Sequence, residues 1–85
     1  CAICAAPLIL GAFGLLNGKK ATSYPGFEGK LTGAEVVKRA VVCDKNVITA
    51  SGVGAADRFS FEIIKYLLGK EKSDEIIKET TYDYE

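Results

Sequence analysis

Eighty-five residues make at most one domain, and a chain this short buries only about 60–65% of its unfolded surface, so its modest core calls for a partner. Eleven basic and eleven acidic side chains cancel, and the lysines are scattered rather than striped, which argues against nucleic acid. Three cysteines with no histidine make a disulfide framework or a metal centre a poor fit, and the apolar run from Ala2 to Leu16 is too short and too broken by glycine to span a membrane.

The chain opens on Cys1-Ala2-Ile3-Cys4-Ala5-Ala6-Pro7, a short apolar strand that turns at once into a helical segment. This is the pattern of a nucleophile elbow with Cys4 at its tip. The unpaired N–H groups and positive end of the following helix favour an anion there, in this case a thiolate. Ala5 and Ala6 leave room for a tight backbone and offer their N–H groups to an oxyanion, and Pro7 fits the first helical turn. No basic residue precedes the segment and no cleavage pattern follows it, so it reads as part of the fold and not as a signal peptide. A start on Cys and the lack of any Met lead us to expect a piece of a longer chain.

Ala5 to Leu16 is apolar nearly all round, as in a buried helix, with Gly11 and Gly14 permitting a neighbouring strand to come close. Asn17-Gly18 stops it, and Lys19-Lys20 suits its negative end. Ala21 to Tyr24 reads as a strand closed by Pro25-Gly26. A strand on each side of a helix implies a parallel crossover, which would bring Cys4 and Tyr24 to the same sheet edge.

Gly26 to Gly33 reads as a loop or single helical turn anchored by Phe27 and Leu31. Val36 to Cys43 and Asn46 to Ala50 read as two strands of a hairpin turning at Asp44-Lys45. Ser51-Gly52-Val53-Gly54 opens a second helix, Ala55 to Leu68, with an apolar stripe (Phe59, Phe61, Ile63, Ile64, Leu67, Leu68) and a charged face (Arg58, Glu62, Lys65). Gly69 stops it, a short helix follows at Glu71 to Glu79, and Thr80 to Glu85 reads as a frayed tail.

Cys4 is the strongest chemical candidate, and its plain alternative is a small buried side chain. Cys1 and Cys4 form a CxxC, but one lies in the strand and the other beyond the bend, which weakens a dithiol reading. Tyr24 and Pro25 lie near the site, with Tyr24 the titratable group that the topology brings close. Its alternative is a strand-end aromatic packed on Pro25. Gly52 and Gly54 form a GxG without a third glycine and read as a tight turn near the site. Cys43 reads as inert. No metal or cofactor is called for.

Four stretches resemble the ThiJ/PfpI superfamily, in order: Ala2-Ile3-Cys4-Ala5-Ala6-Pro7, Ala21 to Glu28, Asn46 to Gly54, and Phe59 to Glu71. The resemblance implies a flavodoxin-like three-layer α/β sandwich with a mostly parallel sheet, of which residues 1–85 would be the C-terminal half. It implies a homodimer, an easily oxidised cysteine at Cys4, and a glutamate from the N-terminal half that hydrogen-bonds it. Some members carry histidine where this chain has Tyr24, and many have arginine then Gly-Pro-Gly where it has Ser51 then Gly52-Val53-Gly54. The activities implied are glyoxalase or deglycase chemistry on small aldehydes in the cytoplasm, or alternatively oxidative-stress sensing or chaperoning. A peptidase or amidase is disfavoured because no histidine is present.

Overall fold

A computed structural model describes residues 1–82, and within it the first strand, β1 (Ala2–Ile3), pairs in parallel with β5 (Val47–Ala50), far along the chain. A two-residue turn at Lys45-Asn46 joins β5 to its antiparallel neighbour β4 (Val41–Asp44), giving the sheet order β1-β5-β4. A second, parallel ribbon is made by β2 (Lys20–Ala21) and β3 (Glu35–Val36). Two of the three pairings are therefore parallel, as expected of a mixed α/β fold with a mostly parallel sheet.

The helices are α1 (Pro7–Ala12), α2 (Ala56–Leu68) and α3 (Lys70–Glu79), with 3₁₀ turns at Glu28–Lys30 and Val53–Ala55. Helix α2 packs on β4 and β5, α3 packs on α2, and α1 packs on β1 and the first 3₁₀ turn. Gly69, at φ +93°, separates α2 from α3 in a conformation that only glycine takes cheaply. Ser73 locks the corner, its buried hydroxyl donating to the Phe61 carbonyl at 3.0 Å, and Tyr82 meets the Phe61 ring edge-on. Of the tail expected to fray, Thr80 to Tyr82 is thus held by contacts, and residues 83–85 lie outside the described residues.

The core is small. Leu16, Ala21 and Leu31 are buried together, with Leu10, Ala34 and Val47 packed around them, while Ile48, Ala50 and Ala55 are buried near the sheet. Thr49 is fully buried in the middle of β5, and its hydroxyl accepts the Thr22 N–H at 3.0 Å. That bond ties the chain after β2 to the central strand and satisfies both polar groups, which an apolar residue at 49 could not do.

Several elements depart from the sequence expectations. The first helix ends at Ala12 and not Leu16, because Gly14 goes to φ +74° and Leu16 turns in to the core. It is not a buried helix in this chain: Ile9 and Phe13 are exposed, as is Leu15 just beyond it. The expected strand Val36 to Cys43 is two strands, with a bend between β3 and β4 that lets one pair with β2 and the other with β5. Lys45 at φ +55° places the hairpin turn one residue later than expected, leaving Asp44 in β4, where its carboxylate accepts the Lys20 N–H at 2.7 Å. The crossover from β1 through α1 does not end in a strand paired with β1. The α2 stripe is covered only in part, since Phe59, Phe61, Ile63 and Ile64 are half-buried while Leu67 and Leu68 are exposed. Arg58 and Glu62 form no ion pair among the described residues, and Glu62 is half-buried towards Cys43.

Gly11 accommodates a close approach, although its neighbour is a 3₁₀ turn and not a strand. A methyl group there would sit 2.5 Å from the Lys30 carbonyl oxygen and 2.9 Å from the Thr32 nitrogen, both of them backbone atoms with little freedom to yield. Gly11→Ala is therefore expected to destabilise the fold by about 1–3 kcal/mol, the range for overpacking. Urea unfolding of the variant would show this as a lower midpoint at unchanged slope.

Candidate active site around Cys4

Cys4 stands at the end of β1 with φ +65°, in the left-handed region that a side chain occupies only at a cost of about 1–2 kcal/mol. Two backbone hydrogen bonds hold it there. Its N–H donates to the Ala50 carbonyl at the end of β5 (3.0 Å), and its carbonyl accepts the Tyr24 N–H (2.8 Å). Cys4 is thus clamped between two chain segments remote in sequence, with its side chain half-buried. This is the geometry of a nucleophile elbow, and it brings Cys4 and Tyr24 to one edge as the sequence predicts.

The turn consumes most of its own amides. The N–H groups of Ala6, Leu8 and Ile9 donate to the carbonyls of Ile3, Ala5 and Ala6, and Pro7 has none to give. The expectation that Ala5 and Ala6 jointly face an oxyanion is corrected for Ala6, whose donor is taken by Ile3 at 3.1 Å. The Ala5 N–H has no hydrogen-bond partner among the described residues, nor does the Cys4 sulfur. Because α1 is only six residues long, its dipole is also smaller than the longer expected helix would have supplied.

Tyr24 reaches the site through its backbone, and its ring is half-exposed. The ring meets Phe27 edge-on, with centroids 6.5 Å apart, and lies against Gly52, where an added methyl group would come 3.5 Å from its Cδ1. It is thus positioned by Phe27 and Gly52. Neither Gly52, which is extended at φ 173°, nor Gly54, which has open space around it, is there for backbone freedom. The turn they begin runs through Val53–Ala55 into α2, as expected.

All three cysteines are free thiols, and Cys43 is far from the elbow on the exposed side of β4. Partial loss of solvent around its sulfur, reinforced by the Glu62 carboxylate, pushes the Cys43 thiol above the usual range and so makes it a poor nucleophile at neutral pH.

Next to the residues that clamp Cys4 the structure brings together side chains that sequence reasoning did not gather. A pocket of about 340 Å³ is lined by Ser23, Pro25, Glu28, Lys38, Arg39 and Ser51, among others. The Glu28 carboxylate in its wall sits below the ordinary range, held there by its own N–H and that of Gly26 and, to a lesser degree, by the charge of Lys38. The available signal was Lys38-Arg39, a charged pair interrupting the apolar run from Val36 to Val42 where the chain bends.

The pattern of the DJ-1/PfpI family matches residues 1–66, which include the Cys4 turn, the Tyr24 segment and the β4–β5 hairpin. This chain belongs to the DJ-1/PfpI family. Among relatives, it is 50% identical over 78 residues to Protein DJ-1 homolog A of Arabidopsis thaliana, covering 88% of this chain and 20% of that protein. It is 34% identical over 79 residues to Glutathione-independent glyoxalase DJR-1.2 of Caenorhabditis elegans, covering 91% of this chain and 42% of that one. The solved structure of oxidised Toxoplasma gondii DJ-1 superimposes with a TM-score of 0.88 at 32% identity, covering 98% of this chain and 46% of that one. The chain thus spans less than half the length of these DJ-1/PfpI proteins.

The left-handed conformation at Cys4 carries a stability prediction. Glycine has no Cβ to strain there, although it also adds freedom to the unfolded chain. Cys4→Gly is expected to raise stability by up to about 1 kcal/mol, whereas the β-branched Cys4→Val lowers it. Chemical denaturation of the two variants against the parent measures both.

Proposed function

We propose that the complete protein is a cysteine-dependent enzyme acting on small α-oxoaldehydes such as methylglyoxal, with Cys4 as the nucleophile. The observation that carries this reading is Cys4 at φ +65°: a residue under backbone strain, clamped from both sides, whose position a glycine would fill more cheaply. Similarity to the relative named as a glutathione-independent glyoxalase supports the same chemistry. In this proposal residues 1–85 are the C-terminal half of one domain, the N-terminal half of the same protein completes it, and the whole works as a cytoplasmic homodimer without a cofactor.

Chemically, the Cys4 sulfur adds to the aldehyde carbon, forming the C–S bond as the carbonyl oxygen takes a proton, and gives a hemithioacetal. A base then moves the proton from that carbon to the adjacent carbonyl carbon through an enediol, leaving a thioester of the α-hydroxy acid. Water cleaves the thioester, releasing the acid and restoring the thiol. The Ala5 N–H is the backbone donor left to stabilise the oxyanions. With no histidine in the chain, the base in this scheme is the glutamate that the family resemblance assigns to the N-terminal half. Cys4→Ser in the full-length protein is expected to lower kcat for methylglyoxal by at least about a hundredfold, since an unactivated hydroxyl is a far weaker nucleophile. Unchanged lactate formation by the variant would overturn the reading.

A second reading is favoured by the similarity to a DJ-1 solved in oxidised form. Here Cys4 is a redox sensor, oxidised to a sulfinate whose charge the Ala5 N–H helps to hold. Mild peroxide treatment followed by peptide mass spectrometry is expected to add two oxygens at Cys4 while Cys43 remains unmodified. Equal oxidation of the two would remove this reading.

A further inference from the structure

The pocket beside Cys4 has a composition that the chemistry of a neutral aldehyde does not require. Its walls come from the chain just after β2, the first 3₁₀ turn, the bend between β3 and β4, and the residue after β5. β1 and β5 run parallel, so the ends from which Cys4 and Ser51 emerge are their C-terminal ends, where α/β sheets gather ligands. Cys4 itself is not among the lining residues; the walls adjoin its clamp. The two residues that clamp Cys4 by hydrogen bonds are Ala50 and Tyr24, and the pocket is lined by Ser51, next after the first, and by Ser23 and Pro25, on either side of the second.

Lys38 and Arg39 bring two positive charges to this pocket and Glu28 brings one negative charge, leaving a net charge of one positive unit by that difference. Glu28 is already engaged, its Oε1 accepting the Gly26 N–H at 2.7 Å, whereas neither Lys38 nor Arg39 forms an ion pair among the described residues. Lys38 and Arg39 are exposed, and Arg39 also borders the neighbouring space along β4. Ser23 is buried, its hydroxyl donating to the Tyr24 carbonyl at 3.2 Å, and Ser51 is half-buried. Two cations lining one pocket with the Ser51 hydroxyl fit an oxyanion, with arginine suited to grip two oxygens at once. At about 340 Å³ the space is at the lower end of the range for small-molecule sites, suited to an oxyanion on a short carbon chain.

We propose that this pocket holds the oxyanion group of the reacting compound, so that the preferred substrates are short aldehydes carrying a phosphate or a carboxylate, gripped by Lys38 and Arg39. The proposal rests on Cys4 as nucleophile for its catalytic consequence, and on the pocket alone for its binding.

The test uses the full-length protein and separates the two. Calorimetric titration with inorganic phosphate and, in parallel, with lactate as the carboxylate probe is expected to show binding of at least one. Affinity should fall at least tenfold in Lys38→Ala/Arg39→Ala and recover in large part in Lys38→Arg/Arg39→Lys. Lys72→Ala, on α3 and outside the pocket's lining, should bind as the parent does. If the double alanine variant does not fold, Ser51→Asp, which sets a negative charge in the pocket, should abolish binding instead. Phosphohydroxypyruvaldehyde should be turned over with kcat/KM at least tenfold above methylglyoxal, chiefly through KM, if phosphate is the group bound. If lactate alone binds, the same preference should appear for a carboxylate-bearing aldehyde. No binding of either anion, binding indifferent to the pocket variants, or no preference for the charged aldehyde overturns the proposal. Anion binding lost in the pocket variants while Cys4→Ser leaves methylglyoxal turnover unchanged would overturn the nucleophile instead and leave the pocket standing.

Discussion

The rest of this structure depends on the clamp at Cys4. One residue carries two backbone hydrogen bonds to partners in different parts of the chain, Ala50 at the end of β5 and Tyr24 beyond β2. Each bond is worth only about 1 kcal/mol net. Together they offset a left-handed backbone that costs a comparable amount, and they do so only while β1 stays paired with β5 and the Thr22–Thr49 bond keeps the Tyr24 segment in place. The strain at the cysteine is therefore maintained by long-range contacts and not by the local turn.

That dependence explains how much of the site can be read from sequence. The elbow itself is legible, because a strand ending on a small residue followed by Ala-Ala-Pro has few other solutions. So is the meeting of Cys4 and Tyr24, since the ends of neighbouring segments converge in an α/β fold. The partner of β1 is not legible, because nothing local to Ala2 and Ile3 records that their register neighbours are Thr49 and Ala50. The hairpin is misplaced by one residue because Lys45 takes a positive φ that a glycine or asparagine would have advertised. The break between β3 and β4 was hidden by hydrophobicity on both sides of Lys38-Arg39. The charge pair reads as an interruption within one strand until the pairing partners are known.

The first helix shows the same limit from another side. An all-round apolar pattern predicts burial, and the pattern is real, yet Ile9, Phe13 and Leu15 are exposed in this chain. The same holds for Leu67 and Leu68 at the end of α2. Pattern reports the surroundings a helix is suited to and not the surroundings present in 85 residues, and the DJ-1/PfpI proteins this chain resembles are more than twice its length. The small cluster around Leu16, Ala21 and Leu31 is what these residues can bury among themselves.

The amides of the elbow bear on its chemistry more directly than the dipole of α1. A six-residue helix whose first N–H groups are already bonded to Ile3, Ala5 and Ala6 has little positive charge to direct at a substrate. What remains among the described residues is the donor at Ala5, set immediately after the sulfur-bearing residue. A single oriented N–H in a site from which water is excluded can still contribute a few kcal/mol to a developing oxyanion. In the proposed chemistry it would do so without moving, because the left-handed turn at Cys4 fixes the backbone that carries it. The strain that makes Cys4 costly to fold is thus the same feature that sets the orientation of the Ala5 N–H, the donor the turn leaves unpaired among the described residues.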